Sequence, residues 1–169
     1  MFLIRHEDPG DSAAIRQVLE LAFGQRMEVD LVDALRQRGK VTLSLVAIQD
    51  QRAVGQILFS PMIIESDNPD ISAIGLDPMA ILPSYQGKGI GSQLVRIGLE
   101  ECRGAVHEVV MVLGHPHFYQ RFGFVAAKTF GIRSEFDVPD DVFMILELRP
   151  GALVGRGGVA KYQPEFNLA

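Results

Sequence analysis

Three glycines stand within five residues, at positions 87, 89 and 91, in the run Leu82-Pro83-Ser84-Tyr85-Gln86-Gly87-Lys88-Gly89-Ile90-Gly91-Ser92. An apolar stretch ends just before this run, and a helical pattern begins inside it. From residue 89 to 103, Leu94, Val95, Gly98, Leu99 and Cys102 recur at helical spacing, while Gln93, Arg96, Glu100 and Arg103 fill the opposite face. A strand therefore passes into a helix through a turn that side chains do not crowd. The backbone of such a turn can approach a ligand closely, and its amides converge where the helix dipole is positive. Residues 86–92 (Gln86, Gly87, Lys88, Gly89, Ile90, Gly91 and Ser92) read as a seat for a phosphate or pyrophosphate. The plain alternative is a tight strand-to-helix turn, which has little need of three glycines.

Two familiar phosphate loops fail on inspection. A Walker A loop needs Gly-x-x-x-x-Gly-Lys-Ser/Thr, but Lys88 is followed by Gly89. A dinucleotide fingerprint needs Gly-x-Gly-x-x-Gly, and counting from Gly87 the last position is Ser92. What remains is Gln-x-x-Gly-x-Gly, at Gln86, Gly89 and Gly91. A nucleotide-binding protein stays open only if this loop is misread.

Around the loop the hydrophobic period changes along the chain. Ile15, Val18, Leu19, Ala22 and Phe23 keep helical spacing after a cap at Asp11 or Ser12, and Gly24 ends that helix. A short second helix carries Leu31, Val32 and Leu35 on one side. Residues 43–48 and 53–64 read as a hairpin about the polar turn 49–52, and residues 71–82 as a further strand. Asp77-Pro78 interrupts that strand, and because proline cannot donate to a ladder, a bulge or an opening in the sheet is expected there. A buried strand over 108–113, a short helix over 117–121 and strands over 124–128 and 142–148 follow. The glycine-rich tail after Pro150 reads as irregular. The sum is an α+β fold, a mostly antiparallel sheet with one strand–glycine loop–helix–strand unit at its centre, from residue 71 to 113.

At 169 residues the chain suits one domain, and 47% hydrophobic with 22% charged residues is ordinary globular usage. A net charge of −5 argues against nucleic acid but leaves room for one anionic ligand held by backbone amides. The first nine residues carry Arg5, His6, Glu7 and Asp8 where a signal peptide needs an apolar core, and no apolar run approaches the roughly 20 residues that span a bilayer. A cytoplasmic protein that does not bind membranes is the expectation. The single cysteine, Cys102, allows no internal disulfide, and its place on the apolar helix stripe favours packing over a reactive thiol. His115-Pro116-His117 offers too few ligands for a metal site, so no metal is expected, although His115 can line a site.

Gln86-x-x-Gly89-x-Gly91, preceded by Met79-Ala80-Ile81-Leu82-Pro83, resembles the coenzyme A loop of the GNAT family of N-acetyltransferases. The run Leu113-Gly114-His115-Pro116-His117-Phe118-Tyr119-Gln120-Arg121-Phe122-Gly123-Phe124 is similar to the segment after the next strand in one bacterial branch of that family. The resemblance covers most of the chain, from the first helix to about residue 148. It implies a GNAT-like mixed, mostly antiparallel sheet flanked by helices, with residues 1–150 as an acyl-CoA-dependent N-acyltransferase domain and 151–169 as its C-terminal extension. It implies acetyl-CoA as donor, a primary amine of a small molecule or peptide as acceptor, and direct transfer in a ternary complex, and it admits a homodimer.

Transfer from a thioester to an amine needs a base for the amine proton, donors for the oxyanion and an acid for the departing thiolate. The resemblance assigns cofactor contact to the backbone of Ala80, Ile81 and Leu82, and the leaving-group acid to Tyr119. For the base it leaves Asp77, on the strand leading to the cofactor, or Glu28, beside the loop 24–27 that commonly borders the acceptor. The bland readings are core packing for Ile81, Leu82 and Tyr119 and solvation for the two carboxylates. The rival function is an inactive acyl-CoA sensor with the same fold, which has no need of an acid at Tyr119.

Overall fold

A long hairpin forms the spine of the sheet. In the computed structural model, which describes residues 1–67 and 69–168, strand β2 (Leu43–Gln49) returns as β3 (Arg52–Glu65). Asp50 and Gln51 between them adopt φ of 54° and 62°, the positive pair whose twist matches that of the flanking strands. The other strands are β1 (Leu3–His6), β4 (Ile71–Ile81), β5 (Val109–Leu113), β6 (Val125–Ala126), β7 (Ile132–Ser134), β8 (Phe143–Glu147) and β9 (Gly158–Lys161). Their order is β1-β2-β3-β4-β5-β8-β6, with β9 paired to both β3 and β7. Among the described residues only β4–β5 and β7–β9 are parallel. The α+β class and the mostly antiparallel sheet are as expected.

Residues 53–60 of β3 are buried without a break, so both faces of the sheet must be covered. Helix α3 (Ile90–Gly104) covers one face and brings Gly98 against Phe59 and Leu45. A Cβ at Gly98 would stand 2.7 Å from the Phe59 ring, which is why this helix carries a glycine in mid-stripe. Helix α1 (Ser12–Phe23) lies across β3 and β4 on the other face, with α2 (Met27–Gln37) beside it. Gly24 ends α1 in the left-handed conformation, at φ 70°.

Two readings of the sequence need correction. The strand expected over 124–128 is two residues long and passes into a 3-10 turn over Ala127–Phe130, closed by left-handed Gly131. The tail is not irregular. Gly158 opens β9, and a Cβ there would collide with the carbonyl of Glu65, so glycine is what lets the tail lie against β3. Glu165 then anchors it, buried between Arg38 at 3.2 Å and Lys40 at 3.1 Å at the end of α2. The strands β1 and β7, at four and three residues, are too short to show a period.

The feature that makes a site is where the sheet fails to close. β4 and β5 pair only at Ile74–Val110 and Gly75–Met111, and then part. The parting coincides with a register shift between β3 and β4 at Ile57/Phe59, against Leu76 and Met79, the two residues that flank Asp77-Pro78. The interruption anticipated at that proline is thus both a bulge on one side and an opening on the other.

Candidate active site

A groove follows the split from the glycine loop to the mouth between α1 and α4 (Pro116–Tyr119). It has two lobes, of about 490 Å³ and about 550 Å³, which share Met79, Ile81, Gln86 and Phe118 and so form one channel.

The first lobe is built on the loop. Gly87 and Gly89 take φ of 75° and 86°, and Gly89 is the residue on which α3 begins. Among the described residues the amides of positions 87–92 donate no hydrogen bond, while the first helical bond runs from the Gln93 amide to the Gly89 carbonyl at 3.2 Å. Six open donors at the start of a fifteen-residue helix are a physical anion trap. Gly87, Gly89, Ile90, Gly91 and Ser92 all line this lobe. Lys88 does not; its ammonium sits 5.6 Å from the Tyr85 ring, and Tyr85 in turn donates to Asp50 of the hairpin turn. The loop is thus braced on the hairpin through Tyr85, which also lines the lobe.

Backbone direction along β4 sorts the three strand residues expected at the cofactor. The Leu82 amide donates to the Val54 carbonyl at 2.8 Å, so Leu82 faces β3. By the alternation of an antiparallel ladder Ala80 does too, while Met79 and Ile81 turn their amides toward the gap. The Ile81 carbonyl is bonded there by the Gln86 side chain at 3.0 Å. Gln86 thus satisfies part of an edge that β5 abandons, and Ile81 is the strand residue best able to pair with an extended ligand.

The second lobe holds the titratable groups. Asp77 is half-buried on β4 and makes no hydrogen bond among the described residues. Burial, and next the charge of Glu28, push its carboxyl up to about 7. Tyr119 is 7% exposed, and its hydroxyl, without a partner among the described residues, belongs to the wall of this lobe. Burial and then the charge of Asp77 raise its phenol well above the ordinary value. Gly114 makes room for this ring, because a Cβ at 114 would meet the Tyr119 ring edge. Phe118 and Phe124 pack edge-on to the same ring, at 4.9 and 5.6 Å. Glu28 is not part of the wall; its carboxylate accepts from Gln25 at 3.0 and 3.2 Å, and it acts on Asp77 through its charge. The structure brings Asp77 and Tyr119 together and leaves Glu28 behind them.

Comparison with known proteins bears directly on this geometry. A family model described as an acetyltransferase (GNAT) domain matches residues 41–126, a span that includes both the glycine loop and the split strands. Over 166 residues the chain is 34% identical to the uncharacterized N-acetyltransferase YhbS of Escherichia coli K12, covering 98% of each protein. The chain belongs to the GNAT acetyltransferase family. A second E. coli K12 GNAT relative, the uncharacterized N-acetyltransferase YjhQ, is 36% identical over 145 residues, 83% of this chain and 79% of that one. The crystal structure of E. coli YhbS in complex with CoA superposes with a TM-score of 0.92 over 98% of this chain and 92% of that one, at 34% identity. A GNAT acetyltransferase from Brucella melitensis in complex with acetyl-CoA gives 0.81 at 37% identity, over 98% of each chain. The GNAT fold and the N-acyltransferase class follow from these likenesses.

Two groups near the site, Arg121 and Tyr162, carried no role in the sequence reading. Arg121 lines the loop lobe, donates to Ser92 at 2.8 Å and stacks on Phe118 and Phe122 at 5.3 and 5.5 Å. Its place between two aromatic residues in the second motif was the available signal. Tyr162 from the tail is buried between Phe136 and Phe166, and its phenol is raised by burial, then by Asp77 and Glu135. Nothing local in the sequence links positions 162 and 77. His115 stands on the exposed cap of α4 and lines the second lobe, and Cys102 is buried, with burial and then Glu101 pushing its thiol up to about 12. Among the described residues no helix is long and apolar enough to cross a membrane.

Proposed function

We propose that this protein transfers the acetyl group of acetyl-CoA to a primary amine by direct attack within a ternary complex. The observation that carries the reading is one channel with open amides at one end and two unbonded titratable side chains, Asp77 and Tyr119, at the other. The pyrophosphate of the donor is held by the amides of 87–92, with the Arg121 guanidinium alongside, and the pantetheine arm lies in the split against Ile81 and Met79. CoA and acetyl-CoA in the two related crystal structures support acetyl-CoA as the donor.

Chemistry then needs three proton transfers, two from the nitrogen and one to the sulfur. Asp77 takes a proton from the substrate ammonium, which frees the nitrogen lone pair to attack the thioester carbon. The oxyanion that forms is stabilised by a β4 amide, that of Ile81 or Met79. When the C–S bond breaks, the Tyr119 hydroxyl gives its proton to the thiolate, and the second proton of the attacking nitrogen passes to the tyrosinate. The products are an amide, free CoA and a neutral phenol, with Asp77 returning its proton to solvent. A phenol of raised pKa stays protonated at neutral pH and so holds a proton to give as negative charge develops on the sulfur. Within this scheme the domain comprises residues 1–150 with 151–169 as its extension, and the site works in the cytoplasm.

The test is Tyr119→Phe, measured as CoA thiol release with an amine acceptor beside calorimetric CoA affinity. Turnover should fall about 10²-fold or more while affinity holds, since the ring and its packing remain. Equal turnover in the variant removes Tyr119 from the mechanism. Tight acetyl-CoA binding without turnover of any amine would instead favour an acyl-CoA sensor.

A further inference from the structure

The acceptor end of the channel sets an uncompensated negative charge beside an apolar lip. Asp77 lines it, and Glu28 stands behind Asp77 close enough for the two carboxylates to oppose each other's ionisation. No lysine or arginine lines this lobe among the described residues. The channel's guanidinium, Arg121, lies at the glycine-loop end and is bonded to Ser92. Among the described residues the one imidazole that lines the lobe is that of His115, on an exposed helix cap.

The lip is formed where α1 meets α2. Ala22 and Phe23 line the lobe, and Phe23 is 40% exposed, with Leu21 at 51% and Met27 at 43% beside it in the chain. Of these three exposed side chains, Phe23 is the one that lines the lobe, and a large apolar ring left in water at the mouth of the channel is a surface that a ligand can cover.

Resting on the acetyl-transfer reading above, we propose that the acceptor is a small primary amine on an apolar, preferably aromatic, body with no carboxylate beside the amine. The ammonium is drawn to Asp77 and Glu28, and the body covers Phe23 and Ala22. An amino acid would bring its α-carboxylate within two bonds of the nitrogen. That charge would face Asp77 in a part-buried site with no cation to neutralise it, and like charges so placed are strongly disfavoured.

Three acceptors of one skeleton separate charge from bulk: phenethylamine, phenylalaninamide and phenylalanine. Each is given to the full-length protein with acetyl-CoA, and thiol release is followed with mass confirmation of the amide. The first two should be acetylated with kcat/KM at least ~10-fold above phenylalanine. Phe23→Ser should raise KM for phenethylamine several-fold more than it raises KM for ethylamine. Phenylalanine used as well as its amide overturns the charge argument, and ethylamine used as well as phenethylamine overturns the apolar lip. Calorimetry with CoA runs in parallel. If CoA binds and no amine is turned over or binds the CoA complex, the acceptor class falls and the donor site stands; if CoA does not bind, the acetyl-transfer reading itself fails.

Discussion

Asp77 owes its affinity for a proton to its place more than to its neighbours. Burial beneath the split sheet is the larger cause and the Glu28 charge the smaller, and together they carry the carboxyl up to about 7. A base poised there is half-ionised at neutral pH and strong enough to take a proton from an ammonium in the cleft. The rate kcat/KM should therefore climb with pH and level off above about 7, and Asp77→Asn should abolish that limb and lower the plateau by ~10²-fold. The same group gives a check that needs no substrate. Its folded pKa is raised, so the folded state holds the proton more tightly than the unfolded chain, whose value is about 3.9. Stability should fall as pH rises from about 4 to about 7, and Asp77→Asn should unfold later than wild type above pH 7 by on the order of 1–3 kcal/mol, the two converging in acid. Denaturant melts across that window decide it; parallel curves for both proteins would mean an ordinary carboxylate. The sequence marked Asp77 as a candidate through its proline neighbour and its strand. It could not rank Asp77 above Glu28, because burial is set by α1, α4 and the tail, all distant in the chain.

At the scale of elements, the loop was the most legible part of the molecule, since its glycines answer to local rules. Gly87 and Gly89 are left-handed, and the helix begins where the apolar period begins. The lobe beneath it was less legible, because the direction of the β4 amides depends on register with β3, and a one-residue change in pairing would exchange Ile81 for Ala80 and Leu82. Lys88 shows the limit of motif reading: it stands inside the motif, yet it does not line the groove and its ammonium lies over the Tyr85 ring. Gly89→Val probes the element directly. A Cβ at 89 meets nothing within 4 Å, so the protein has room for it and a bound pyrophosphate does not. The φ of 86° is costly for a β-branched residue, so the variant should melt some degrees lower and still fold. Its CoA affinity should fall by at least ~10-fold, as read by calorimetry on folded protein. An unchanged isotherm would leave these glycines as a turn and nothing more.

For the whole molecule, the sheet is both scaffold and aperture. β3 is long enough to pair β2 and β4 along its length and still hold β9 at its far end, so the core continues past the split that empties its centre. The hairpin, the two helical faces and the central unit were readable, because each repeats a period over seven residues or more. β7 and β9 were not, because three- and four-residue strands have no period and the glycine that admits β9 reads as a breaker. That arrangement predicts a response of the whole fold to the donor. The channel is walled by β4, α3, α4 and the end of α1; among the described residues its loop amides have no partner, and on the Ile81 edge only the carbonyl is met, by Gln86. A donor that fills it joins elements the sheet leaves apart, and it can do so only in the native state. Acetyl-CoA at 100 times its dissociation constant should then add about 2.7 kcal/mol to stability, seen as a rise of a few degrees in Tm. ATP and NAD offer phosphates to the loop but no pantetheine arm for the split, so at equal concentration each should shift Tm far less. A scan in which ATP or NAD matched or exceeded acetyl-CoA would mean that the loop alone binds, and that the open sheet beside it has no part in holding the ligand.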